Sequence, residues 1–548
     1  VSIETINAAQ LRNMFLAGAR RLDSKKEYIN ELNVFPVPDG DTGANMTMTI
    51  MSAANEVEAI EEPTMASLAK AISQGALRGA RGNSGVILSQ LFRGFTRAVR
   101  NVEEIDNAVA AEAFKRASET AYKAVMKPKE GTILTVARGM SEKAQDIFET
   151  SDDMTEALRQ IIEYGNYMLS LTPEMLPVLK QAGVVDSGGK GLMTILEGAY
   201  DNLIGKEPDE EVKTDAGEEA QPAGFKYCTE FIIKLNDSFD KCAETDFKNY
   251  LSGIGDTVIV AKSDGIVKVH LHTDDPGLAL QKALGYGALT SVKVDNMHEE
   301  HRELLFSDSE KLAEMQKKED AEQAVSDPPK NVGFVAVSMG EGMKEIFSGL
   351  GVDVIVEGGQ TMNPSTADIL DAVEKVNART VFVMPNNKNI ILAANQAADM
   401  CTDKKVIIIP SKTVPQGITA VINYNEGETD EANASNMISE MDGVRSAQVT
   451  FAVRDTTIDD KEVHRGDIMG LSDDGLAAVG TDIKQTVIDT IGTMADEGSE
   501  IITIYYGADV TEHDASELSE KLKEKYPDCE VEVYSGGQPI YYYVVSVE

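Results

Sequence analysis

Three patterns of hydrophobic spacing follow one another along the 548 residues and predict a multidomain chain: an all-α domain, a small α+β domain, then an α/β module of two lobes. Residues 1–204 repeat apolar side chains at helical spacing. Residues 225–306 alternate as short strands around two helices, and residues 331–548 alternate apolar β-rich runs with helices, as a mostly parallel sheet does, with a lobe boundary near 446. Two acidic stretches poor in apolar residues, 205–224 and 307–330, read as linkers between them.

Composition sets the outer limits. The chain holds 91 acidic against 51 basic residues, a formal net charge of −40, and 42% hydrophobic residues. That excess of negative charge disfavours nucleic-acid and anionic-membrane binding and suits basic protein partners. No apolar run is long enough for a transmembrane segment, and the opening VSIETINAAQLRNMF does not read as a signal peptide. Cys228, Cys242, Cys401 and Cys529 form neither a CxxC pair nor a disulfide ladder, so a cytoplasmic location is expected.

The first domain reads as helices whose connecting loops carry the motifs. Between the first helices lies NVFPVPDGDTGANM, Asn33 to Met46. Pro36 and Pro38 deny it a helix. Asp39 and Asp41, two residues apart in an irregular loop, can converge on one hard cation such as Mg²⁺, which prefers oxygen ligands. Gly40 and Gly43 let backbone approach a polyphosphate, Thr42 and Asn45 can donate to it, and a helix N-terminus follows. An Asp-Gly surface turn is the plain alternative. The second stretch, GALRGARGNSGVILSQ from Gly75 to Gln90, lacks the Walker lysine and opens no βαβ unit. Beside the first it reads as a second phosphate-gripping loop, with a helix capped by Asn83 or Ser84 as the structural alternative.

These two stretches, with GTILTVARGM (Gly131 to Met140) and DSGGKGL (Asp186 to Leu192), resemble the nucleotide-binding subunit of dihydroxyacetone kinases. More closely they resemble the kinase subunit of the bacterial two-component fatty acid kinase, over the whole chain and in matching order. The resemblance implies a helical barrel for the first domain, ATP/ADP as nucleotide and two Mg²⁺ ions on Asp39 and Asp41. It implies that Thr42, Asn45, Gly82, Asn83 and Ser84 contact phosphates. Thr132 to Leu134 and Asp186 to Gly189, with Gly188 among them, would close around the nucleoside. The dihydroxyacetone kinase pattern has a third aspartate upstream; this chain reads ELNVFPV there, and Asn33 stands nearest to replace it.

In the middle domain the order β-α-β-β-α-β is the ferredoxin-like arrangement. In FKYCTEFIIKL, Tyr227, Thr229, Phe231 and Ile233 share one face, leaving Cys228 and Glu230 on the other. In GIVKVHLHT, Val267, Val269 and Leu271 face the core, leaving Lys268, His270 and His272 opposite. The first and third strands are neighbours in that fold, so Cys228, His270 and His272 cluster on the open face. A zinc site and a merely solvated sheet face are alternatives. The resemblance assigns the three to catalysis, with zinc the less favoured option. A homodimer through this domain is expected.

After Lys330 the runs NVGFVAVSMG, VDVIVEG, TVFVMPN and KVIIIPS alternate with helices. Asn363-Pro364-Ser365-Thr366, Asn386-Asn387 and Ser411-Lys412 fall at strand ends, where a sheet of this kind takes a ligand. The module resembles DegV-type fatty-acid-binding proteins. In this family it resembles a docking unit for the separate, substrate-loaded binding protein, separable from nucleotide binding. Its acidic composition suits a basic partner surface.

Together these readings predict an ATP-dependent kinase acting on a fatty acid held by a separate DegV-type protein, giving an acyl phosphate for phospholipid synthesis. A carboxylate acceptor is already ionised near pH 7 and needs no general base. A glycerone-type kinase acting on a small hydroxyl substrate is one alternative, disfavoured by the lack of a recognisable sugar-binding subunit. A non-catalytic, lipid-responsive nucleotide-binding scaffold is another, disfavoured by the intact DGDTG and GNSG stretches.

Overall fold

The computed structural model describes the chain apart from residues 1–2, 35–39, 126, 152, 207–226, 236–246, 249, 252–253, 264–265, 274, 297–329, 360–362, 453–455, 459–460 and 473–474. Two compact units result, one built from residues 1–210 and 329–548, the other from 211–328. Asp39 and most of both linkers, including the middle of 307–330 that could be a polar helix, lie outside the described residues.

The N-terminal part of the first unit is helical. A two-residue strand β1 (Ile6–Asn7) pairs with β2 (Glu104–Ile105) and ties the first helix to the middle of the domain. Its helices are α1 (Ala8–Ser24), α2 (Lys26–Glu31), α3 (Thr42–Glu58), α4 (Met65–Gly79), α5 (Gly82–Val99), α6 (Asn107–Ala124), α7 (Ile133–Thr150), α8 (Met154–Ser170), the short α9 (Thr172–Met175) and α10 (Pro177–Ala182), and α11 (Ser187–Leu203). Local chemistry starts several of them. Asn7 and Gln10 form a reciprocal capping box at α1, Thr64 and Ser67 another at α4, and the Asp106 carboxylate accepts from Val109 N–H at α6. Their apolar faces meet in one core that includes Leu22, Ile50, Leu68, Leu88 and Met193, all fully buried. An apolar cavity of about 170 Å³ remains inside, lined by Phe15, Phe92, Phe95 and Phe114 among others.

One expectation needs correcting here. The GNSG, GTILT and DSGG motifs are not loops but the opening turns of α5, α7 and α11. Glycine is tolerated there because the first N–H groups of a helix have no intrahelical partner to lose.

The C-terminal part continues the same unit. Strands β7 (Lys330–Ser338), β8 (Val354–Glu357), β9 (Ala378–Met384) and β10 (Lys405–Ile408) form a wholly parallel sheet in the order β10-β9-β7-β8. The second lobe begins at β11 (Arg445–Phe451) and adds β14 (Ile468–Ser472), β15 (Gly475–Gly480), β16 (Ile501–Tyr506), β17 (Glu530–Ser535) and β18 (Tyr543–Val547). They form a mixed sheet in the order β15-β14-β11-β18-β16-β17, beside a hairpin of β12 (Thr456–Ile458) and β13 (Lys461–Val463). Met343, Phe347, Phe382, Tyr505 and Val544 make one core across the two lobes.

The first lobe also shares a core with the helical part: Ala80 and Val86, at the α4–α5 junction, pack with Val335, Val337, Val381 and Val383. Burying a valine side chain stabilises by about 1.5–3 kcal/mol. The expectation of a module separable from the nucleotide domain therefore fails, because the glycine-rich α4–α5 junction is part of the module's hydrophobic core.

The second unit has strands β3 (Tyr227–Leu235), β4 (Gly255–Ser263), β5 (Ile266–Thr273) and β6 (Gly287–Asn296), all antiparallel, in the order β4-β5-β3-β6. Thr229, Phe231, Ile233, Val267, Val269 and Leu271 are buried, with Phe247, Leu251, Ala279 and Ala283. That face is the one the strand alternation predicts.

Candidate functional site

Four helices begin close together at one end of the helical part. At the start of α3, Thr42 Oγ1 lies 3.4 Å from Ser84 Oγ in the first turn of α5. Below them α5 crosses α3 closely. Gly82 has φ +57°, which favours glycine, and a Cβ there would stand 2.6 Å from Asn45 Nδ2. Gly43 is equally constrained, because a Cβ would run into the carbonyl of Lys26, while Ala44 N–H donates to Asn30 Oδ1 at 3.1 Å. The start of α11 joins at Gly191, which faces Met46 of α3 at 2.6 Å from a built Cβ to the sulfur. The start of α7 joins through Asp186, whose carboxylate accepts from Gly189 N–H at 2.7 Å and from the backbone N–H of Ile133. The positive ends of four helix dipoles thus gather beside one another, an arrangement that favours a polyanion.

Two aspartates precede these helices and do different work. Asp186 is buried, and burial pushes its carboxyl up to about 6 against the opposing pull of the Gly189 and Ile133 N–H groups. Asp41 makes no side-chain cap on α3. Its Oδ2 accepts instead from Asn363 Nδ2 at 2.6 Å. Asn363 is buried, and its Oδ1 has no hydrogen-bond partner. Carboxylate, amide oxygen and the Thr42 and Ser84 hydroxyls are all hard oxygen donors, so the residues present fit Mg²⁺.

The other predicted residues fall as follows. Asn33 is buried just after α2, its N–H donating to Asn30 O at 3.0 Å. Asn45 is buried beneath Gly82. Asn83 Nδ2 donates to Asn389 Oδ1 at 2.9 Å, so the amide predicted for phosphate faces the C-terminal module. The Thr132 hydroxyl donates to Lys129 O at 2.8 Å. Leu134 is a core residue, which leaves only its backbone for a nucleoside, and Gly188 packs against Ile133. In the second unit the pairing sets Cys228 opposite His272 and Glu230 opposite His270 on β3 and β5. The alternation puts positions 228, 270 and 272 on the sheet face opposite the buried one. Among the described residues no cluster of His, Cys, Asp and Glu could hold a metal.

Sequence reasoning missed the partners. Arg81 donates to Asn363 O at 2.9 Å and lies 3.4 Å from the Asp368 carboxylate. Gln396 Nε2 donates to Leu77 O at 2.7 Å, and its Oε1 accepts from Gln90 at 2.9 Å. Glu130 accepts from Thr135 and Arg138, both at 2.7 Å, beside the α7 turn. Asn363-Pro364-Ser365-Thr366 carried a signal as polar residues at strand ends, but they meet the helical part instead of a ligand on the sheet. Asn386 of the second predicted pair turns inward, donating to Val337 O at 2.9 Å and accepting from Ser411 Oγ at 2.7 Å.

Comparison with known proteins decides the family. Residues 333–548 match the FakA-like fatty acid kinase C-terminal domain, residues 224–304 the FakA-like middle domain, and residues 36–201 the DAK2 domain. Protein YloV of Bacillus subtilis (strain 168) is 42% identical over 563 residues, covering all of both chains. The chain belongs to the FakA-like fatty acid kinase family. Family membership makes it a kinase of the fatty acid kinase system. An uncharacterized protein of Staphylococcus aureus (strain USA300) is 40% identical over 559 residues, again covering all of both chains. Among solved structures, the dihydroxyacetone kinase from C. freundii in complex with AMP-PNP and Mg²⁺ is 14% identical. That likeness covers 37% of this chain and 35% of the other, with a TM-score of 0.29, too low to bear on the site. Among the described residues no helix is long and apolar enough to cross a membrane.

Proposed function

We propose that this kinase transfers the γ-phosphoryl group of ATP to the carboxylate of a fatty acid presented by a separate DegV-type binding protein. A carboxylate oxygen attacks the γ-phosphorus, the bond from that phosphorus to the β,γ-bridging oxygen breaks, and ADP and an acyl phosphate leave. No proton moves, which is why no general base is required. The observation that carries the reading is the gathering of four helix N-termini around an aspartate that does not cap its own helix.

In this reading the triphosphate lies against the first turns of α3 and α5, held by Thr42, Gly82, Ser84 and their backbone N–H groups, with Asn45 supporting Gly82 from below. Asp41, with Asp39 and Asn33, holds Mg²⁺. The ion's contribution when bound is to neutralise charge between the β- and γ-phosphates. The turns at Thr132 and at Asp186 to Gly189 border the nucleoside, with Asp186 bracing two helix starts. We read the middle unit as ferredoxin-like from its strand order and as the unit of self-association. We assign Cys228, His270 and His272 to stabilising charge on the transferring group or to steering the carboxylate.

The test is an ADP-release and product assay with loaded carrier, beside free fatty acid and dihydroxyacetone. Product from dihydroxyacetone but not from carrier-bound lipid overturns the reading. Alanine at Cys228, His270 or His272 should lower the rate by roughly 10²–10³ with nucleotide binding intact. Wild-type rates in all three would reduce the patch to a solvated sheet face.

A further inference from the structure

Asn363 reaches the helical part on a segment held at several points along its backbone. Arg81 and Ser365 form an antiparallel bridge, Thr366 N–H donates to Ala80 O at 3.0 Å, and the Arg81 guanidinium grips both Asn363 O and the Asp368 carboxylate. Asn83–Asn389, Gln396–Leu77 and Gln90–Gln396 add bonds outside that segment, over the shared core at Ala80 and Val86. The seat is therefore fixed without the Asn363 side chain.

That side chain, 1% exposed, lands on Asp41 from 322 residues away in sequence. An aspartate in Asp41's position usually accepts from its own helix, a cap worth about 0.5–2 kcal/mol. Here the cap is forgone and the carboxylate is held by the module. On the same amide, Oδ1 is buried without a hydrogen-bond partner, at a typical cost of about 1–3 kcal/mol. Beside a carboxylate, that oxygen is a donor of the kind a hard cation or a water in its shell takes.

Resting on the reading of Asp41 as a metal ligand, we propose that the metal–nucleotide site is composite. Asn363 of the C-terminal module is a positioning residue that holds the Asp41 carboxylate, so the helical domain alone carries an incomplete site. Whatever docks on the module and shifts residues 363–368 then acts on metal affinity directly.

The experiment uses the full chain and measures, by calorimetry, the Mg²⁺ needed for half-maximal AMP-PNP binding, together with the melting temperature. Asn363→Ala should raise that Mg²⁺ requirement about 10–100-fold, as loss of a residue supporting a metal ligand does. Gln396→Ala, which removes seat bonds that do not touch Asp41, should lower the melting temperature and leave the Mg²⁺ requirement unchanged. Asn363→Asp places two carboxylates together, so its metal-free form should melt lower than wild type and Mg²⁺ should raise it by more. An unchanged Mg²⁺ requirement in Asn363→Ala, or equal changes in the alanine variants of Asn363 and Gln396, overturns the proposal. So does an Asn363→Asp protein indifferent to Mg²⁺. Asp41→Ala separates the two levels: if it loses Mg²⁺-dependent binding while Asn363→Ala does not, only the composite site falls. If Asp41→Ala binds as wild type, the metal reading falls first and takes this inference with it.

Discussion

Asp41 and Asp186 occupy the same place in the local sequence, each directly before a small hydroxyl residue and a glycine at the start of a helix. Their surroundings make them opposites. Asp186 takes two backbone N–H groups, caps α11, braces α7 and is buried. Asp41 caps nothing in α3 and is held from another part of the chain by Asn363. A helix-start aspartate committed to its own backbone serves the fold, whereas one left off it is available for chemistry.

The largest expected effect breaks that comparison if it fails. Asp41→Ala should cut ATP turnover by roughly 10³-fold or more, the rate equivalent of several kcal/mol of metal-ion stabilisation, with the melting temperature nearly unchanged. Asp186→Ala should do the reverse, destabilising by about 1–3 kcal/mol for each N–H left unsatisfied. Turnover assays and denaturant titrations on both variants decide it. If the two variants behave alike, the division of labour is wrong.

The next effect sharpens it through pH. Burial raises the Asp186 carboxyl from 3.8 to about 6, so between those values the folded state binds more protons than the unfolded chain. Stability is then fully present below about pH 4, falls as pH rises through 6, and levels off above. The full swing is about 3 kcal/mol. Asp186→Asn keeps an oxygen acceptor but cannot ionise, so its unfolding midpoint should lack this decline. An identical pH dependence in wild type and Asp186→Asn removes Asp186 as its source.

The smallest effect compares the glycines. Gly82→Ala places a side chain at φ +57° and a Cβ 2.6 Å from Asn45 Nδ2, a strain of about 1–2 kcal/mol. Nucleotide affinity should drop about tenfold, the equivalent of 1.4 kcal/mol. At Gly188 the nearest atom is Ile133 Cβ, 3.3 Å from a built Cβ, and helix propensity favours alanine by about 0.5–1 kcal/mol. Gly188→Ala should therefore be close to neutral in melting temperature. An equal loss of affinity in both variants would mean that the α3–α5 turns are no more sensitive than the α11 turn.

What the sequence by itself determined is what depends on neighbours along the chain. Helical spacing placed the core faces of α1 to α11, and period-two alternation placed Thr229, Phe231 and Leu271 inside the middle unit. It also set positions 228, 270 and 272 on one face, where the strand pairing puts Cys228 opposite His272. The DGDTG and GNSG stretches were readable as phosphate loops because glycine and hydroxyl residues beside a helix start have a local meaning. The tertiary structure alone decided which of those residues keep their side chains for a ligand. Asn83 turned to Asn389, Leu134 entered the core, Asp186 became a brace, and Asn363 came to rest on Asp41. The last contact spans 322 positions, and no periodicity or capping rule links residues so far apart. Only the packing of Ala80 and Val86 into the parallel sheet brings those two side chains within hydrogen-bond reach.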